Sequence, residues 1–114
     1  MANHEFKATV RKHNGKVIID LRGEINSFAE TELSKAYSEA DQHNPTSVIL
    51  NFEDVNYMNS TGIALIVSLL AQARKSHRQM VVFGLSDHYL EIFEITRLSD
   101  FMNIYENETA ALAA

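Results

Sequence analysis

Apolar and polar residues alternate with a period of two from Phe6 to Arg11, pause at Asn14-Gly15, and alternate again through Val17, Ile19 and Leu21. Two alternating runs about an Asn-Gly pair predict a β-hairpin, because a two-residue hairpin turn needs positive φ at both positions. Gly23-Glu24-Ile25-Asn26-Ser27 breaks the alternation, and after it Leu33, Ala36, Tyr37 and Ala40 fall at i, i+3, i+4 and i+7. That spacing lays one apolar stripe along a helix, which Asn44-Pro45 stops. Ser47 to Phe52 and Met80 to Phe83 are short, nearly continuous apolar runs, the pattern of strands buried on both faces. Between them Gly62 to Lys75 keeps helical spacing through Ile63, Ile66, Val67, Leu70 and Ala73, while Leu65 and Leu69 widen the apolar face. Residues 47–84 therefore read as a central βαβ unit with a right-handed crossover, and Glu53 to Met58 as the loop inside it. Ser86 offers an N-cap for a third helix with Leu90, Phe93 and Ile92 turned inward. A short strand around Met102 to Tyr105 and an alanine-rich tail capped by Asn107 complete a β-β-α-β-α-β-α-β-α order. The pattern predicts an α/β fold with a single mixed sheet of four to five strands and about four helices.

A chain of 114 residues has the length of one domain, so 1–114 is expected to form a single unit. Ten Lys and Arg against fifteen Asp and Glu give a formal charge of −5, the wrong sign for affinity to nucleic acid or an anionic membrane. A protein or a small ligand is the better partner. The absence of cysteine removes disulfides, thiolate metal sites and a cysteine nucleophile. No apolar run approaches the ~20 residues of a membrane span. Met1-Ala2-Asn3-His4-Glu5 lacks a basic region followed by an apolar stretch, so the sequence is read as cytoplasmic and mature as written.

The most unusual local feature is Asn59-Ser60-Thr61-Gly62, where an apolar helix begins. One account is structural: Asn, Ser and Thr accept hydrogen bonds from the free N–H groups of the first turn, and Gly relaxes the entry. The other starts from the same geometry. A helix N-terminus stabilises an anion, so a phosphate on Ser60 or Thr61 would be well placed, and its charge of about −1.5 to −2 could switch off a binding surface. The histidines His4, His13, His43, His77 and His88 show no metal-ligand spacing and lie in polar segments, which suits solvated surface. A small hydrolase built on Ser60 would need a histidine brought to it in space, and no G-x-S-x-G elbow is present. The scattered glycines form no phosphate-binding loop, and no cofactor or metal is implied. Ile63, Leu65 and Leu69 either form a partly exposed face for a partner or lie beneath neighbouring helices; periodicity leaves both open. Arg74-Lys75-Ser76-His77-Arg78 reads as cationic charge complementing a helix C-terminus.

The run from Val48 to Ile63, with Met58-Asn59-Ser60-Thr61-Gly62-Ile63 at its end, resembles the signature of STAS domains, specifically the stand-alone anti-sigma factor antagonists, whose usual form is Met-Asp-Ser-Ser/Thr-Gly-Leu. Gly23-Glu24-Ile25-Asn26 resembles the family's Gly-Glu-Ile-Asp. Gly84-Leu85-Ser86 with Phe93-Glu94-Ile95-Thr96-Arg97-Leu98 resembles its Leu-Ser…Leu-Phe-Glu-Leu-Thr-Gly-Leu segment. The resemblance covers nearly the whole chain and implies a STAS fold and a partner switch. In the family, the unphosphorylated antagonist binds an anti-sigma factor that is also a serine kinase and frees the sigma factor. Phosphorylation at the helix-start hydroxyl ends the interaction, and a metal-dependent serine phosphatase resets it. Carried over, the phosphoacceptor is Ser60, with Thr61 the second choice, and Glu24, Asn26 and Ser27 share a contact surface with Asn59, Ser60, Thr61 and Gly62. The family's two aspartates are Asn26 and Asn59 here, which puts kinase recognition in question and keeps open a subunit that binds a transporter ATPase or another signalling protein without phosphorylation. Arg97 stands where the family has glycine, so the third helix is expected to end differently.

Overall fold

A computed structural model describes residues 5–114; Met1 to His4, including one of the five histidines, lie outside the described residues. The hairpin joins β1 (Lys7–His13) to β2 (Lys16–Ile25) antiparallel, with Asn14 at φ 48° and Gly15 at φ 80°, as a two-residue turn requires. Next comes α1 (Glu30–Gln42), which buries Leu33, Ala36, Tyr37 and Ala40. The central unit is β3 (Ser47–Met58), α2 (Ser60–Lys75) and β4 (Gln79–Phe83), followed by α3 (Asp87–Ile95), β5 (Asn103–Tyr105) and α4 (Glu108–Leu112). Single 3-10 turns at Ser27–Ala29 and Leu98–Phe101 are too short to leave a periodic signal. The sheet runs β1-β2-β3-β4-β5, with every pair parallel except the hairpin. It is a mixed sheet of five strands with four α-helices, as the α/β reading requires.

Alternation along each strand sorts side chains to two faces. Val17, Ile19, Val48, Leu50, Met80 and Val82 join the apolar sides of α1, α2 and α3 in one core. Ile18, Ile49, Val81 and Phe83 face the other way, against Ala111 and Leu112 of α4. Burial on both faces is why these strands read as continuous apolar runs. The rings of Phe52 and Phe93 meet edge to face at 6.2 Å and seat α3 on the sheet. On the back face α4 spans only five residues and is held by charge. Arg11 pairs with Asp20 at 2.6 Å and Glu108 at 2.8 Å, while Lys16 Nζ donates to the carbonyls of Leu112 and Ala114. Burial pushes the Asp20 carboxyl up, but hydrogen bonds from Arg11 and Asn51 outweigh it and leave the group below its ordinary value. The hydrogen bond from Arg11 also lowers Glu108.

The stretch Glu53 to Met58, expected as a loop, is the second half of β3. Asp20 pairs with Asn51 but Arg22 with Asp54, and Gly23 pairs with Val55 but Glu24 with Tyr57. Each slip adds one residue to β3 and flips its facing, which erases the period-two signal. In α2 the buried stripe is Gly62, Ile66, Leu69, Leu70 and Ala73. Leu69 is thus core, Ile63 and Leu65 are half-buried, and Val67, expected inward, is 44% exposed. α3 buries Tyr89 and Phe93, leaving Leu90 and Ile92 half-buried. Of the basic run, Arg74 and Lys75 lie in the last turn of α2, but Arg78 is a staple: it donates to the Pro45 carbonyl at 2.6 Å and pairs with Asp41 at 2.8 Å. Without glycine to end α3, Arg97 itself takes the left-handed conformation, φ 67° and ψ 12°.

A left-handed non-glycine residue costs about 1–2 kcal/mol, whereas the ion pair of Arg97 with Asp100 is exposed and screened by water, and offsets little of this. Arg97→Gly is therefore expected to stabilise the fold by about 0.5–1 kcal/mol after the extra chain entropy of glycine, read as a higher urea midpoint at unchanged slope. The depressed carboxyls of Asp20 and Glu108 contribute stability above their unfolded values near ~4 and lose it as pH falls through their lower folded values. Arg11→Met should then flatten the acid limb of stability against pH below about pH 5, checked by urea titrations of both proteins across that range.

Candidate functional site

At the end of β3 the chain turns into α2 through Asn59, whose extended backbone places it as the N-cap. Its Oδ1 accepts the Gly62 N–H at 2.8 Å and its carbonyl accepts the Ile63 N–H at 2.9 Å. One N-cap oxygen can reach only the second or third amide of the helix, so a single residue does this work. The expectation that Asn, Ser and Thr all cap is corrected to Asn59 alone, and the helix begins at Ser60 rather than Gly62. Ser60 and Thr61 fill the first two helical positions, with both side chains exposed and neither hydroxyl hydrogen-bonded among the described residues.

Gly62 faces inward. A Cβ at this position would stand 1.8 Å from the Ile25 carbonyl oxygen and 2.6 Å from its carbon, nearer than any side chain can come. The same carbonyl accepts the Asn59 N–H at 3.3 Å. Register places Glu24 beside Tyr57 and Ile25 beside Met58. The end of β2 and the start of α2 are therefore one assembly, and Glu24, Asn26 and Ser27 come to the same end of the sheet as Asn59, Ser60, Thr61 and Gly62. Asn26 is a second amide cap: its Oδ1 accepts the Phe28 N–H at 2.9 Å and starts the 3-10 turn, where Ser27 is exposed. Beneath the junction the buried Tyr89 hydroxyl accepts the Met58 N–H at 2.8 Å and donates to the Met58 carbonyl at 3.3 Å. This bond is the reason Tyr89 rather than Leu90 turns inward, since a buried phenol needs a partner.

Sequence reasoning missed Phe28, which is 92% exposed beside the fully buried Ala29. A faint signal exists: Ala29, Leu33, Ala36 and Ala40 share one helical stripe, and Phe28 falls just off it. His13, His43, His77 and His88 are all exposed, and among the described residues no three potential metal ligands gather. A hydrolase would need a histidine bonded to Ser60, and Ser60 makes no such bond among the described residues. No helix of the described residues is long and apolar enough to cross a membrane.

The family model of the STAS domain matches residues 7–111. The anti-sigma-B factor antagonist of Staphylococcus aureus strain NCTC 8325 / PS 47 is 31% identical over 88 residues, 77% of this chain and 82% of that protein. The crystal structure of an anti-sigma factor antagonist from Mycobacterium paratuberculosis superposes with a TM-score of 0.84 at 18% identity, covering 98% of this chain and 95% of that one. The Bacillus cell fate determinant SpoIIAA in its phosphorylated form gives a TM-score of 0.69 at 23% identity, over 93% of this chain and 96% of that one.

Replacing a helical glycine by alanine ordinarily stabilises by about 1 kcal/mol. At position 62 the clash with Ile25 decides the sign, because backbone on both sides must move. Gly62→Ala is expected to destabilise by about 2–3 kcal/mol net, measured as a fall in the urea midpoint; a midpoint at or above that of the unaltered protein would refute the close approach.

Proposed function

The chain belongs to the STAS domain family, among its anti-sigma factor antagonists, and on that premise we propose that it works as a phosphorylation-controlled partner switch. Acting in the cytoplasm as a single domain over residues 1–114, it binds an anti-sigma factor that is also a serine kinase, and so frees the sigma factor. Docking uses the end of the sheet where Glu24, Asn26 and Ser27 meet Asn59, Ser60, Thr61 and Gly62. The kinase transfers the γ-phosphoryl group of ATP to Ser60 Oγ, ADP leaves, and the complex parts. A serine phosphatase hydrolyses the phosphoester and restores the binding form. The work of this chain is binding rather than catalysis.

The observation that carries this reading is the state of Ser60: an exposed hydroxyl on the first turn of α2, without a hydrogen-bond partner among the described residues. A phosphate there gains from the positive end of the helix dipole. The neutral Asn59 cap sets no carboxylate against it. The same charge of about −1.5 to −2 defeats a partner surface shaped around a neutral hydroxyl, through repulsion and the cost of stripping its water. Thr61 is the second hydroxyl of the same turn and the fallback acceptor.

Incubating the chain with each anti-sigma factor kinase of its own genome and ATP, then mapping the phosphosite by mass spectrometry, tests the proposal. The expected result is phosphate on Ser60, none on Ser60→Ala, and affinity of Ser60→Asp for the kinase lowered by about 100-fold or more. Binding that ignores Ser60→Asp would instead favour a constitutive adaptor for a transporter ATPase or another signalling protein, a reading that the amides at Asn26 and Asn59 support.

A further inference from the structure

Five large apolar side chains stand exposed among the described residues: Phe28, Tyr57, Val67, Ile95 and Phe101. Phe101 is shielded by the Arg74 guanidinium 5.2 Å from its ring centre. Phe28 is the most exposed of the five, and its backbone is held on both sides. Asn26 Oδ1 accepts the Phe28 N–H at 2.9 Å, and the Asn26 carbonyl accepts the Ala29 N–H at 2.9 Å. Ala29, next to it, is fully buried, so the turn is anchored in the core while the phenyl ring stays 92% exposed. An aromatic group with only two side-chain torsions, on a fixed turn, loses little entropy when it is captured.

The surroundings say what could capture it. Glu24, Glu32 and Phe28 line one shallow groove with the buried Phe6 at its floor, and Glu30 is exposed two positions beyond Phe28. None of Glu24, Glu30 and Glu32 has an ion-pair partner among the described residues, while Glu5 at the same groove pairs with Lys7. An apolar anchor among three uncompensated carboxylates repels an anionic lipid surface. It also repels a second copy of this chain, whose twofold contact would set like charges face to face. It complements a protein pocket that is apolar inside and basic at its rim.

We propose that Phe28 anchors the anti-sigma factor by entering an apolar pocket rimmed with arginine or lysine, and that Glu24, Glu30 and Glu32 engage the rim. The inference rests on the docking surface proposed above and divides its labour: Phe28 supplies the grip, and Ser60 releases it. Asn26 is then a positioning residue, acting through the amide of Phe28.

The test uses the anti-sigma factor that binds the unaltered chain, with affinity and rates measured at about 50 mM and 300 mM salt, where screening lengths differ by more than twofold. Phe28→Ala should weaken binding by about 30-fold or more, chiefly through faster dissociation, at an unchanged urea midpoint. Changing Glu24, Glu30 and Glu32 together to glutamine should slow association and flatten its salt dependence. If Phe28→Ala binds within about threefold of the unaltered chain while Ser60→Asp does not bind, the anchor is overturned and the docking surface stands. A salt dependence untouched by the glutamine variant overturns the basic rim. Binding that survives both Phe28→Ala and Ser60→Asp, or an unaltered chain that binds no anti-sigma factor, overturns the anchor together with the functional reading.

Discussion

The end of this sheet is organised by a space that only hydrogen can fill. With a Cβ at position 62 placed 1.8 Å from the Ile25 carbonyl oxygen, α2 can begin where it does only because residue 62 is glycine. Much follows from that contact. It presses the first turn of α2 against the end of β2 and brings the Asn59 amide to the same carbonyl. It also sets the rotation of the helix. Two residues earlier is roughly 200° around the axis, so when Gly62 faces the sheet, Ser60 faces water. An exposed serine and a buried glycine are here two views of one packing decision.

The two amide caps solve a related problem. Asn26 and Asn59 each spend their side-chain oxygen on a backbone N–H of the turn they introduce. A carboxylate caps about as well, so the local fold is nearly indifferent to the change from the family's aspartates. The electrostatics are not indifferent. Two formal negative charges are missing from the neighbourhood of Ser60, while Glu24 remains. The surface is thus less hostile to an added phosphate than it would be with aspartate at both positions.

Where period and cap chemistry are local, the sequence is legible. Asn14-Gly15 announces its turn, Leu33, Ala36, Tyr37 and Ala40 announce α1, and the crowded polar start of α2 points to the junction before any coordinates. The bulged half of β3 is illegible, because two slips against β2 break the alternation that would identify a strand. The stripe of α2 is right at Ile66, Leu70 and Ala73 but rotated slightly, with Leu69 buried and Val67 exposed, because apolar residues cover much of the helix and the contact between Gly62 and Ile25 selects the side. Phe28 escapes notice for a similar reason: its exposure is a consequence of where Ala29 goes, and Ala29 is placed by the core. Arg97 shows the converse case. Loss of the glycine suggests a changed helix end, yet the surrounding chain imposes the left-handed conformation on arginine all the same.

The latch between β1 and α4 joins Arg11 to Glu108, residues 97 apart in sequence. Along the chain, the buried side chains of the front core end at Met102, whereas Ala111 and Leu112, which cover Ile18, Ile49, Val81 and Phe83, come from the five-residue α4 that follows. With α4 undocked, one side of the sheet would stay packed while the other became a bare apolar strip, a shape prone to pair with its neighbours. Arg11 and Asp20, both supplied by the hairpin, lie on that same face. Whenever α4 lifts away, these two charges stay beside the uncovered strip, where charged residues oppose the pairing of two sheets.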